Sequence, residues 1–173
     1  MTRRAGLTLA TFLALAAWAG AQGPSPALPA DVQLRMLREN RLLLNDLVER
    51  GVALSGADDP VSRAEECEKM VRSLGAALRR AADAQNPDRV AELGDHLEAV
   101  LRDGLIPNLD EATRVIDPHS PEWPRLQEVR KRAAGGLDEI RDALPTTGKV
   151  GENGKVKDLR GKLDGFKERV KEK

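Results

Sequence analysis

The stretch from Asp59 to Asn86, DPVSRAEECEKMVRSLGAALRRAADAQN, decides the fold class. Its positions Ala64, Cys67, Val71, Leu74, Leu78 and Ala81 alternate steps of three and four, which holds them on one side of an α-helix with the period of a supercoiled seam. The ends agree with the interior. Asp59 is a helix-capping residue, and Pro60 suits the first helical position, where its missing N–H is not needed. Asn86-Pro87 repeats the device at once, so a further helix is expected to fold back antiparallel on this one with almost no loop.

The same logic extends upstream. Leu34, Leu37, Leu44, Val48 and Val52 recur at steps of three, four or seven, laying an apolar stripe from an Asp31 cap to about Leu54, where Ser55-Gly56-Ala57-Asp58 interrupts. Arg41 falls inside that stripe. Its stem can pack on the seam while the guanidinium reaches water or a carboxylate; the other reading is contact with a partner. Downstream, Val90, Leu93, Leu97, Val100 and Leu101 carry a helix to about Ile106, where Pro107 is expected to break or kink it. A short piece bearing Leu109, Ala112, Val115 and Ile116 follows, ending at Asp117-Pro118. The last stripe starts after Ser120-Pro121 and uses Leu126, Val129, Ala133, Leu137, Ile140 and Leu144 before Pro145 closes it. No segment alternates apolar and polar residues as a strand would. The expectation is an all-α protein, with an antiparallel bundle of four main amphipathic helices over 31–144 and a short helix after Pro107.

Beyond Leu144 the character changes. Residues 145–155 are Gly-rich and predicted to be a flexible linker. Over 156–172, Val156, Leu159, Leu163, Phe166 and Val170 form another amphipathic helix, which Gly161 and Gly165 each weaken by about 1 kcal/mol relative to Ala. Alone in water it is marginal, so it needs the bundle, a second copy, another protein or an anionic surface to lie against. Residues 22–144 carry six net negative charges, with Arg the dominant cation; residues 145–173 carry four net positive charges, mostly Lys.

The N-terminus gives an address. Arg3 and Arg4 precede an apolar run from Leu7 to Trp18, and Ala19-Gly20-Ala21 supplies small residues for cleavage. Residues 1–21 therefore read as a cleaved secretory signal, followed by a lead-in over 22–30 with Pro24, Pro26 and Pro29. Gln22 stands where a lipid anchor would require Cys. The expected destination is periplasmic or extracellular, with no stable membrane insertion once the signal is removed.

Composition narrows the function. Two Trp, two Phe and no Tyr leave too few aromatic faces for base-stacking grooves or ammonium cages, and an acidic body disfavours nucleic acid. Glu92 and His96 share a helical face but fall short of a bundle metal set. Cys67 and Met70 offer two soft sulfurs, yet Cys67 sits on a seam where a small apolar residue belongs. Glu65, Glu66 and Glu68 near a helix start suit the helix dipole. Phosphate-loop, nucleophile-elbow and zinc-helix motifs are missing from the sequence, so no catalytic residue, cofactor or metal is assigned and an enzyme is not expected. Trp123, in the Pro-rich loop 117–124, reads as a partner anchor or as a plug for the bundle's end. Leu159, Leu163 and Phe166 are the other candidate partner contacts. The expected function is a non-enzymatic interaction or structural module of a bacterial cell envelope, bound to an unknown envelope protein or to itself. The alternative is a periplasmic carrier holding a small ligand or metal within the bundle.

Overall fold

The computed structural model describes residues 30–172, so the expected signal at 1–21 and the lead-in up to residue 29 lie outside the described residues. The chain divides into two units, 1–38 and 39–173. The described part of the first, 30–38, is helical and opens α1, Ala30–Ser55, so Asp31 already lies in helical backbone. The second unit holds the rest of α1 and the helices that follow. Among the described residues the fold is all-α, without strands.

Helix α2, Pro60–Asp83, starts as its sequence predicts: the Asp59 side chain accepts a hydrogen bond from the Ser62 N–H at 2.8 Å. Ala64, Cys67, Val71, Leu74, Leu78 and Ala81 are all buried. Gln85 turns the chain through a left-handed φ of 53°. Asn86 then caps α3, Pro87–Ala99, accepting from the Arg89 N–H at 3.1 Å. Gly75 earns its place on α2 through close approach, because a Cβ there would lie 2.5 Å from Ile140 Cδ1.

Pro107 does not break the chain's helical path. A π-helical segment, Val100–Leu105, leads directly into α4, Ile106–Val115, and the Ile106 N–H donates to the Leu101 carbonyl. The wider turn accommodates a ring that has no N–H to give and would crowd the preceding turn. The Asn108 side chain donates to the Gly104 carbonyl at 2.8 Å, keeping it partnered. Helix α5, Trp123–Ala143, follows a turn in which Asp117 Oδ1 accepts from the His119 N–H at 2.8 Å.

The C-terminal region differs from expectation. Residues 145–155 contain a helical turn, α6, Gly148–Gly151, with Val150 fully buried, in place of the flexible linker that three nearby glycines predict. Helix α7, Gly154–Lys171, capped by Asn153, buries Val156, Leu159, Leu163 and Val170 in the common core. Gly94 on α3 lets it in: a Cβ there would meet Leu159 Cδ2 at 2.7 Å.

The buried core is therefore built by α2, α3 with its π segment and α4, α5, α6 and α7. Among the described residues, helix α1, expected as one of four main bundle helices, contributes to it only the partly buried Leu43, Leu47 and Leu54. Those three positions share a face different from the predicted stripe. Leu42-Leu43-Leu44 points apolar side chains in three directions, and hydrogen bonds select the inner one: Ser73 donates to Asp46, and Arg89 Nη2 donates to Asn40 Oδ1 at 2.6 Å.

Candidate interaction surface on helix α1

The predicted stripe of α1 faces solvent. In the second unit Leu44, Val48 and Val52 are 61%, 64% and 67% exposed; in the first, Leu34 and Leu37 are exposed as well. Three neighbouring β-branched or γ-branched side chains left in water forgo about 1.5–3 kcal/mol each relative to burial. Scattered exposed apolar residues are ordinary, but a row at helical spacing is a patch with direction.

Two charged residues on the outward side complete it. Arg41, within the stripe, and Glu49, at its flank, are exposed and make no ion pair among the described residues. By contrast Arg50, on the bundle side, lies 3.5 Å from Asp46 and 3.6 Å from Glu66. Gly51 lies between Val48 and Val52, and a Cβ built there meets nothing within 4 Å. Nothing in its own fold calls for a glycine at this helical position.

The residues singled out from sequence are dispersed. Leu159 and Leu163 are buried inside the bundle, which corrects their reading as partner contacts: they can meet a partner only if α7 leaves. The physical reason is that their stripe matches a cleft between α3 and α5. Phe166 and Trp123 are partly buried against the same core, Trp123 at the start of α5. Glu92 and His96 are exposed, and Glu92 is engaged by Arg89 at 2.6 Å. Burial pushes the Cys67 thiol up to about 11, so it is held protonated, and its Sγ sits against Gly104. Glu65 pairs with Arg125 at 2.6 Å, and hydrogen bonding from that arginine holds its carboxyl below the ordinary range. Among the described residues, no group of three or more His, Cys, Asp or Glu is arranged to hold a metal ion, and no helix is long and apolar enough to cross a membrane.

Two buried charges escaped the sequence reading. Glu68, on α2, is 1% exposed; its Oε2 accepts from Arg72 Nη2 at 3.2 Å and lies 3.7 Å from Arg132 Nε of α5. Burial pushes its carboxyl up, and Arg72 and Arg132 pull the other way. Arg130, on α5, donates to the Val170 carbonyl, to Thr113 Oγ1 at 2.7 Å and to the Leu109 carbonyl at 3.4 Å. One guanidinium thus ties α5 to the ends of α4 and α7, satisfying a carbonyl that a helix C-terminus leaves open. Both had a signal in the spacing. Glu68 falls between Ala64 and Val71, and Arg130 between Leu126 and Ala133, at steps of four and three.

A surface groove between α3 and the start of α7 is lined by Asp88, Glu92, Asp95, Asn153 and Lys155. Lys155 lies 3.7 Å from Asp95, so part of the acidic charge is answered within the chain. Farther along, Lys162 meets Glu98 at 2.8 Å and Lys167 meets Asp138 at 2.7 Å. The opposite charges of body and tail are complementary partners across one contact. No protein-family model, curated protein or solved structure matches this chain.

Proposed function

We propose that this chain is an exported, non-enzymatic helical module of the bacterial cell envelope that works by binding protein. The observation that carries the reading is the row Leu44, Val48 and Val52, exposed on a helix whose opposite side is already engaged with the bundle. The export half rests on the N-terminal sequence, Arg3 and Arg4 followed by Leu7 to Trp18 and Ala19-Gly20-Ala21.

The test uses a photo-crosslinking residue at position 48 of the full chain, activated in intact cells. A covalent adduct through position 48 is expected, and Val48→Asp should abolish capture by a crosslinker placed at 44 while the helical circular dichroism is retained. Recovery unchanged by Val48→Asp, or no adduct at either position, overturns the interaction reading. Intact-mass measurement of the chain from the envelope fraction should give a start at Gln22; an uncleaved cytoplasmic product overturns the export half.

A further inference from the structure

Resting on that reading of the α1 face, we propose that its occupant is a second copy of this chain, paired antiparallel α1 against α1 about a two-fold axis near position 46. Four observations select this partner over an unrelated protein.

The seam positions Arg41, Leu44, Val48 and Gly51 follow steps of three, four and three, the spacing that interdigitates with another helix of the same period. In an antiparallel pair whose residue numbers sum to a constant, one register puts Leu44 against Val48 of the second copy and Val48 against its Leu44. The same register puts Arg41 opposite Gly51 of the second copy, and Gly51 opposite its Arg41. The one charged residue of the seam therefore meets the one position without a side chain. An arginine stem lies over the glycine, and the guanidinium runs outward along the partner helix.

Charge follows the same register. Position 41 comes level with position 51 of the second copy, and Glu49 is two residues away, about 3 Å along the axis. Arg41 and Glu49 are exposed and have no ion pair among the described residues; the pairing supplies both, twice, by symmetry. Gly51 also gains a purpose, since its own fold leaves space for any Cβ there. A polar residue in an otherwise apolar seam specifies register, which is the role this pairing gives to Arg41.

Sedimentation equilibrium of the signal-free chain, 22–173, tests the pairing. A concentration-dependent monomer–dimer equilibrium is expected. Val48→Asp should leave only monomer, and Arg41→Glu should weaken dimerisation by about tenfold or more by setting like charges together. Adding Glu49→Arg to Arg41→Glu should recover most of that loss, which a merely destabilised fold would not do. Gly51→Leu should weaken the dimer by filling the site of the arginine stem. Register is read by mixing a Leu44→Cys chain with a Val48→Cys chain, both carrying Cys67→Ala: the mixed 44–48 disulfide should exceed the 44–44 and 48–48 products. A predominance of like-with-like crosslinks overturns the antiparallel register. A monomer across the accessible concentration range overturns self-pairing. If that monomer still captures a different envelope protein through position 48, the interaction reading stands without the second copy; if it captures nothing, both fall.

Discussion

Helices α1 and α7 exchange the places that their apolar content assigns them. Helix α1 is rich in leucine and, among the described residues, places none in the buried core, whereas α7 carries Gly161 and Gly165 in its interior and buries four aliphatic side chains. The difference teaches that amphipathicity reports the capacity to be buried, while the partner surface decides whether burial happens. Helix α7 meets Gly94, Arg130 and the acids Glu98 and Asp138, each shaped or charged to receive it. Helix α1 meets the bundle through Asn40, Asp46 and Arg50 as much as through leucines.

The sharpest way to break this comparison is truncation. Ending the chain at Leu144 removes Val150, Val156, Leu159, Leu163 and Val170 from the core, a loss of about 1.5–3 kcal/mol each, comparable with the whole stability of a domain. The truncated chain should lose its cooperative thermal transition and bind a hydrophobic dye; a melt like that of the full chain would show that α7 is dispensable. A point test comes next. In the dilute, monomeric chain Leu163→Ala should cost about 2–5 kcal/mol in urea unfolding, while Leu44→Ala should cost no more than about 0.5 kcal/mol. Equal costs would erase the distinction between the helices. Arg130→Met should cost about 1–3 kcal/mol, because it leaves the Val170 carbonyl and Thr113 hydroxyl without the donor that clamps α7.

How far the sequence carried these assignments depends on where each residue's partner lies. The start of α2 and the start of α3 were legible because Asp59 and Asn86 act on N–H groups three residues away. The seam of α2 was legible because its period has one phase. Helix α1 offers at least two phases, and the choice between them is made by Ser73 and Arg89, far along the chain. The π segment before Pro107 keeps the helix running by a rearrangement that no spacing announces. Arg130 and Glu68 occupied seam positions all along, but charge made them look like surface. The candidate surface itself was visible as a stripe and misplaced as core.

A smaller effect separates the two kinds of glycine. In the dilute, monomeric chain Gly51→Ala should raise stability by up to about 1 kcal/mol, since α1's own fold has room for the methyl group, whereas Gly94→Ala should lower it by about 1–3 kcal/mol by pressing on Leu159. The pH dependence gives the finest test. Glu68 has a folded pKa above the ordinary 4.5, so the folded state binds the proton more tightly than the unfolded chain. Its contribution is fully present below 4.5 and is lost as pH rises through the folded value. Asp138 runs the other way: Lys167 holds it below 3.8, so its contribution is present above 3.8 and lost as pH falls through the folded value. Glu68→Gln should flatten the upper limb of a stability–pH curve and leave the acid limb; Asp138→Asn should do the reverse. Identical curves for the two variants would refute the assignment.

The seating of α7 also fixes an order of events. A helix synthesised after every element it packs on leaves one wall of the core open until its own residues have emerged, and Arg130 has no Val170 carbonyl to hold before then. Nascent chain up to Leu144 is thus short of its final wall during synthesis. Until α7 docks, the apolar surface that Leu159 and Leu163 cover stays open to aggregation, so the late wall sets how long the folding chain needs protection.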